Sequence, residues 1–240
     1  MKSQFYPAIE RGTASFGWLE ANFSFSFGSY YNPDKVQFGM LRVLNDDTIA
    51  AGAGFGQHAH ENMEIITIPL EGSLKHQDSM GNNGLIKFGE VQVMSAGSGV
   101  EHSEMNGSKV DQAKTLQIWI LPQTLDVQPR YDQKSFDLEA NKNSFVTIVE
   151  PYNRQTSDAL WVYQQTYFNL GIFEEDKTAH YETKLTGNGL YIFLIEGSIK
   201  VDGKILNRRD AMGITEADKI TISSITKSTI LIIEVPMQYV

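Results

Sequence analysis

Two of the five histidines in this 240-residue chain, His58 and His60, lie in the stretch GFGQHAHENME, and Glu64 closes that stretch. Residues two apart in a β-strand point to the same face, so the two imidazoles would be presented together. Glu64 would join them if the strand continued unbroken. His102 and Glu104 repeat the same spacing in VEHSEM, about forty residues further on.

These side chains indicate a metal site assembled from two short strands. Imidazole and carboxylate groups without sulfur suit a borderline divalent metal, above all iron, with manganese, nickel, copper and zinc as alternatives. A lone His-x-His pair is more often a surface feature, but the second His-x-Glu pair favours the metal interpretation. Spacing alone leaves open whether Glu64 or Glu104 supplies the carboxylate.

The two remaining histidines are predicted to be polar surface residues. His76 lies in KHQD beside the predicted hairpin turn, and His180 lies in TAHYETK with no second histidine near it in sequence.

The composition narrows the classes of function. The chain has no cysteine, which excludes thiolate metal sites and disulfides and is typical of a reducing compartment. The formal net charge of −9 disfavours nucleic acid as a partner. No apolar run approaches the roughly 20 residues of a membrane span, and the first residues lack the apolar core of a signal peptide. We therefore expect a cytoplasmic protein without membrane contact.

Most of the elements that must position the site have the sequence pattern of β-strands. Short segments rich in Val, Ile, Leu and aromatic residues alternate with clusters of Gly, Asn and Asp. SMGNNGLI reads as a tight hairpin connection, because Asn and Gly tolerate positive φ. The best helix candidates are short and lie over 134–141 and 153–160. The sequence thus predicts an all-β protein built as a sandwich, jelly roll or barrel.

An internal sequence repeat indicates that the fold is duplicated. LEGSLKHQD at 70–78 returns as IEGSIKVDG at 195–203, an offset of 125 residues, and both copies follow an apolar segment. We predict an N-terminal barrel over 1–125, a linker over 126–144 and a C-terminal barrel over 145–240. The same offset carries the five candidate ligands to positions without a good ligand, so the second barrel is predicted to be metal-free: Thr183, Leu185, Gly189, Lys227 and Thr229.

Two stretches of the chain closely resemble the pirin family of the cupin superfamily. They are HAHENMEIITIPLEGSLKHQDSMGNNG and GEVQVMSAGSGVEHSEMN, and the resemblance is strong over about residues 5–135 and looser beyond. It implies two antiparallel jelly-roll (cupin) barrels face to face in one chain, with one metal, iron, in the first. It also implies the ligands His58, His60, His102 and Glu104. Glu64 remains a reserve ligand, or a residue that supports the ligands without touching the metal.

The family includes bacterial proteins described as quercetin 2,3-dioxygenases. The resemblance therefore implies cleavage of a flavonol by O₂, with Glu104 as the catalytic base and a small aromatic polyphenol as substrate. Phe55, Met63, Met94 and Met105 flank the motifs and either line the pocket or form barrel core. The alternative is a non-enzymatic, metal- or redox-responsive regulator that binds a partner protein. A monomer is expected, since two barrels in one chain already cover each other.

Overall fold

The computed structural model describes residues 1–238, and their regular structure is almost entirely β-strand. A 3₁₀ turn, Ala8–Glu10, is the one helical element within that range, and no helix there is long and apolar enough to cross a membrane. The predicted helices over 134–141 and 153–160 are wrong. Asp137 Oδ1 accepts from Ala140 N and Glu150 accepts from Ser157 N, so side chains cap these backbones as turns.

Twenty-two strands follow one another along the described chain. Those before residue 130 are β1 (Lys2–Tyr6), β2 (Gly12–Ser15), β3 (Leu19–Phe23), β4 (Leu41–Ile49), β5 (Gly54–His60), β6 (Glu64–Glu71), β7 (Ser73–Asp78), β8 (Asn83–Lys87), β9 (Glu90–Ser95), β10 (Val100–Asn106) and β11 (Ala113–Ile120). The others are β12 (Arg130–Ser135), β13 (Val146–Pro151), β14 (Leu160–Val162), β15 (Tyr167–Phe173), β16 (Thr178–Glu182), β17 (Asn188–Glu196), β18 (Ser198–Val201), β19 (Lys204–Asn207), β20 (Ala211–Thr215), β21 (Lys219–Ser224) and β22 (Ser228–Pro236).

The strands form two equivalent pairs of sheets. The first large sheet has the order β12-β9-β6-β11-β4-β3-β2, and the first small sheet has the order β5-β10-β7-β8. The second large sheet has the order β1-β20-β17-β22-β15-β13-β14, and the second small sheet has the order β16-β21-β18-β19. The two halves correspond except at one edge of the large sheets, where β2 pairs antiparallel with β3 but β14 pairs parallel with β13. This is the duplicated cupin architecture that the sequence predicts, with each half a jelly roll of a large and a small sheet.

The internal sequence repeat lies at equivalent places in the two halves. Gly72 joins β6 to β7 with φ of 73°, and Gly197 joins β17 to β18 with φ of 95°. Glycine adopts this left-handed backbone without steric cost, so the chain can leave a large sheet and enter a small one within a single residue. The repeated sequence therefore encodes a repeated corner of the fold.

The edge strands of the large sheets are exchanged between the halves. β1 pairs with β20 of the second large sheet, and β12 pairs with β9 of the first. The predicted boundaries therefore differ from the sheets in two segments. Residues 2–6 of the predicted N-terminal barrel belong to the second large sheet, and the predicted linker, 126–144, contains a strand of the first. The sequence hides this, because a polar edge strand exposed on one face looks like a connection.

The apolar core lies in layers. Alternate residues of both large sheets meet in one cluster between the halves, which includes Ile66, Ile118, Phe168 and Leu231. A second cluster fills the space between the two sheets of the second half. The corresponding space in the first half is only partly filled, by two smaller clusters. An open volume therefore remains between the first large and first small sheets.

Candidate metal centre

Three histidines converge on the inner face of the first small sheet. β5 and β10 are neighbours, and His102 lies directly opposite His58 in their register, with Val100 opposite His60. The ring centroids of His58, His60 and His102 are 4.4–4.9 Å apart. One nitrogen of each ring lies within 4.8 Å of the others, a separation at which a single ion can be shared. We refer to these three residues as the histidine cluster.

The free nitrogens of the cluster are suited to bind a cation. His58 Nδ1 lies 2.8 Å from the carbonyl oxygen of Gly56, to which it can donate, and this leaves Nε2 as the acceptor. His102 Nε2 is buried and has no hydrogen-bond partner in the described chain. Burial, assisted by nearby histidines, lowers the pKa of His60 to about 4 and that of His102 to about 3. Both rings are therefore neutral at pH 7, the form in which imidazole binds metals.

Glu104 is held beside the cluster. A register shift between His102 and Glu104 marks a bulge in β10, and the carboxylate of Glu104 lies within 4.8 Å of ring nitrogens of His102 and His76. Gln117 Nε2 donates to one of its oxygens at 2.6 Å, and Thr67 Oγ1 lies 3.3 Å from the other. Complete burial raises the pKa of Glu104 to about 7. Sequence reasoning did not identify Thr67 and Gln117, which fix this carboxylate.

Glu64 is not brought to the histidines. β5 ends at His60, and the chain bends at Asn62, with φ of 48°, before β6 begins at Glu64 in the large sheet. Glu64 consequently lies on the same face of β6 as Ile66, towards the second half, opposite to Thr67. It accepts a hydrogen bond from Ser95 Oγ at 2.6 Å. The condition under which Glu64 would align with the two histidines, one unbroken strand, is therefore not met.

His76 is buried rather than exposed, so its assignment to the surface is also wrong. None of its side chain is accessible, and Tyr131 of β12 stacks on it with ring centroids 4.5 Å apart. Burial is the main cause that lowers its pKa. The internal sequence repeat could have indicated this burial, because position 76 corresponds to Val201, an inward-facing core residue of β18. His180, in contrast, is exposed and lies 3.1 Å from Thr221 Oγ1, as a surface residue should.

A cavity of about 300 Å³ opens beside the cluster. Aromatic side chains dominate its walls: Phe16, Phe23, Phe27, Phe55 and Trp119. Of the residues that flank the motifs, Phe55 lines this space, whereas Met94 is fully buried core. The lining also includes two polar residues of β4, Asn45 and Asp47, and Asn45 lies opposite Gln117 in the register of β4 and β11.

Several polar atoms around this cavity have no partner among residues 1–238. They are Asn45 Oδ1, Asp47 Oδ1 and Trp119 Nε1, all buried. Burial and nearby carboxylates raise the pKa of Asp47 to about 8. Unpaired buried polar groups are costly, and they are retained most often where a ligand or water completes them. The space thus combines flat apolar walls with a few convergent polar groups, as small-molecule sites do.

The donor set fits one divalent metal ion. Three imidazoles match borderline metals, and Glu104 adds a carboxylate that lies within 4.8 Å of His102, in a group with His76 rather than with His58 and His60. His102 Nε2 is buried and has no hydrogen-bond partner among residues 1–238. The residues that would surround such an ion come from β5 and β10, and three of them, His58, His60 and Glu104, also line the cavity.

Comparisons with known proteins agree with this architecture. The family model Pirin matches residues 7–120, and the model Quercetinase C-terminal cupin domain matches residues 147–235. Quercetin 2,3-dioxygenase from Escherichia coli strain K12 is 37% identical over 95% of this chain and 96% of its own length. A pirin-like protein from Caulobacter vibrioides is 36% identical over 95% and 97%.

Two solved structures are similar over almost the whole chain. YhhW from Escherichia coli superposes with a TM-score of 0.92 at 35% identity, covering 98% of each chain. The structure of bacterial pirin YhhW in complex with nickel(II) also gives a TM-score of 0.92, at 34% identity, covering 98% of this chain and 99% of that one.

Proposed function

This chain belongs to the pirin family, and we propose that it is an iron-dependent dioxygenase that cleaves a flavonol such as quercetin at the 2,3 position with O₂. One observation carries the proposal: the histidine cluster, with His102 Nε2 unpartnered, borders a cavity with aromatic walls. A relative named quercetin 2,3-dioxygenase supports the choice of substrate, and the nickel(II) complex of YhhW supports the choice of a divalent metal.

In this proposal His58, His60, His102 and Glu104 hold the ion. When bound, the metal would supply Lewis acidity, which lowers the pKa of a coordinated hydroxyl. The two imidazoles of β5 and the one of β10 already lie close together, with ring centroids 4.4–4.9 Å apart.

Glu104 is the proposed base for the substrate hydroxyl. A base must lie within reach of the proton that it takes, and Glu104 is a buried carboxylate beside the histidines and on the wall of the cavity. Gln117 and Thr67 orient the carboxylate, so that the proton is received at a defined place beside the histidines.

The cavity is suited to a flat polyphenol. Phe23, Phe27 and Trp119 offer apolar faces to aromatic rings, and the unpaired oxygen atoms of Asn45 and Asp47 can accept hydrogen bonds from phenolic hydroxyls. A substrate that supplies these hydroxyls would offset the desolvation cost of these buried oxygen atoms.

The test is turnover of quercetin in air by iron-loaded protein. We expect loss of the flavonol absorbance with release of carbon monoxide, and loss of both signals in the His58→Ala/His60→Ala variant. His180→Ala is the matched control, because it removes an exposed histidine far from the cluster in sequence. Turnover equal in the double variant and the wild type would refute the proposal, as would iron-loaded wild type without turnover.

We also propose that the protein is a cytoplasmic monomer. The two large sheets already bury each other's apolar faces, which is the surface that single-domain relatives would cover by dimerising. Light scattering coupled to size exclusion should give the mass of one chain, 26.9 kDa. A dimer at low protein concentration would contradict this.

A further inference from the structure

His76 links a carboxylate to a residue of the histidine cluster. Its Nε2 lies 3.1 Å from Asp78 Oδ2, and its Nδ1 lies 3.4 Å from Nδ1 of His102. The side chains of His76 and Asp78 are wholly inaccessible. They share the inner face of β7, which pairs with β10 so that Asp78 lies opposite His102. The three side chains therefore form a continuous buried chain.

The direction of each hydrogen bond follows from Asp78. Its Oδ1 accepts from the backbone N–H of Met80 at 3.0 Å and of Asn82 at 2.9 Å, and its Oδ2 accepts from Asn82 Nδ2 at 2.8 Å. A carboxylate in this setting is an acceptor only, so the proton between Asp78 and His76 belongs to His76 Nε2. A neutral His76 then presents an unprotonated Nδ1 to His102. Nδ1 of His102 must carry the proton they share.

This assignment leaves His102 Nε2 without a proton, and Nε2 is the buried atom that lacks a partner. We propose that His76 is a positioning residue, which fixes the Nδ1–H tautomer of His102 and thereby presents its Nε2 to the metal. The inference rests on the metal site of the proposed function. His58 obtains the same tautomer from the Gly56 carbonyl, so two ligands are set by two different acceptors.

The ring of His76 is itself held in place. Tyr131 stacks on it at 4.5 Å with an interplanar angle of 28°, and Tyr131 comes from β12, the exchanged edge strand. A purely structural role for His76 would depend on this packing, whereas a positioning role depends on its Nδ1 acceptor. The two roles can be separated, because different substitutions preserve the packing and the acceptor.

The experiment compares His76→Asn with His76→Phe. Asparagine places an amide oxygen near the position of Nδ1, so it can still accept from His102 but loses the stack on Tyr131. Phenylalanine keeps the ring and the stack but has no acceptor. We expect His76→Phe to weaken nickel(II) binding, measured by chelator competition, by about 10–100-fold. His76→Asn should stay within a few-fold of the wild type, and Tyr131→Leu, which keeps both hydrogen bonds, should do the same.

The tautomer is read directly in the metal-free protein. Long-range ¹H–¹⁵N correlation spectra should show His102 as the Nδ1–H form in the wild type and in His76→Asn, and as a mixture or the Nε2–H form in His76→Phe. Tight binding by His76→Phe with weak binding by His76→Asn would overturn the proposal in favour of packing. An Nε2–H tautomer in the folded wild type would overturn it even if a variant failed to fold.

These outcomes are separate from those of the proposed function. Wild type that binds nickel(II) but never consumes quercetin refutes the dioxygenase and leaves the positioning role of His76 intact. Wild type that binds no metal refutes the metal site, and the spectra of the metal-free protein still decide the tautomer.

Discussion

The two buried glutamates near the histidine motifs have different surroundings, and an isosteric change separates their roles. Glu104 accepts from Gln117 beside the histidine cluster, whereas Glu64 accepts from Ser95 on the opposite face of β6. We expect Glu104→Gln to lower metal affinity by at least about tenfold, since a charged oxygen ligand is lost. Glu64→Gln should leave it unchanged. Metal content after dialysis and competition with a chelator measure both, and metal loss only in Glu64→Gln would reverse the assignment.

Glu64 makes a second prediction, which concerns stability. Burial raises its pKa to about 7, although Ser95, the backbone of Tyr163 and the charge of Arg130 oppose that rise. The folded protein thus keeps a proton that the unfolded chain releases above about pH 4.5. The contribution of Glu64 to the free energy of unfolding is therefore fully present at low pH and is lost as the pH rises towards 7.

Glu64→Gln removes that titration while keeping the shape of the side chain. Between pH 5 and pH 8 the free energy of unfolding of the wild type should fall relative to that of Glu64→Gln by about 2–4 kcal/mol. Urea denaturation at several pH values measures the difference. Parallel curves for the two proteins would show that Glu64 is ionised throughout.

At the scale of elements, the strands and the spacing of their side chains follow from sequence, but the breaks between strands do not. His58 and His60 could be aligned because both lie within β5. Glu64 could not be placed, since a turn at Asn62 shifts the alternation and turns the side chain to the other face. The burial of His76 was not predicted, because histidine is polar and was therefore assigned to the surface, although the equivalent Val201 is a core residue. β12 was missed because it is a half-exposed edge strand.

The turn between β9 and β10 shows how much one corner residue matters. Gly97 has φ of 47°, and a Cβ there would lie 1.9 Å from the carbonyl oxygen of Val127. Gly81 also has positive φ, 91°, but a Cβ there would meet nothing within 4 Å. The two glycines form a matched pair that separates backbone strain from steric overlap.

We expect Gly97→Ala to lower the free energy of unfolding by about 2–5 kcal/mol, and Gly81→Ala by about 1–2 kcal/mol. Gly97→Ala should also weaken metal binding, because β10 and His102 follow directly after this turn. Urea denaturation and chelator competition measure the two effects. Equal losses of stability would mean that the segment containing Val127 moves aside freely.

At the scale of the molecule, neither half is complete without the other. β1 supplies an edge of the second large sheet, β12 supplies an edge of the first, and one apolar cluster spans both large sheets. β12 also presents Arg130, which stacks on Trp161 at 3.6 Å and donates to its backbone oxygen at 2.6 Å. These links bring residues far apart in sequence into one folding unit. We therefore expect a single cooperative unfolding transition.

Two core substitutions test that coupling. Ile118 lies in the cluster between the halves, whereas Ile222 lies between the two sheets of the second half. Changing either to alanine removes a buried side chain and should cost about 2–5 kcal/mol. Hydrogen exchange in urea, read by mass spectrometry on peptides from β11 and β22, should show that each variant shifts both strands to the same midpoint. If Ile222→Ala accelerates exchange in β22 while β11 stays protected, the halves unfold separately, and the exchanged strands do not unite them.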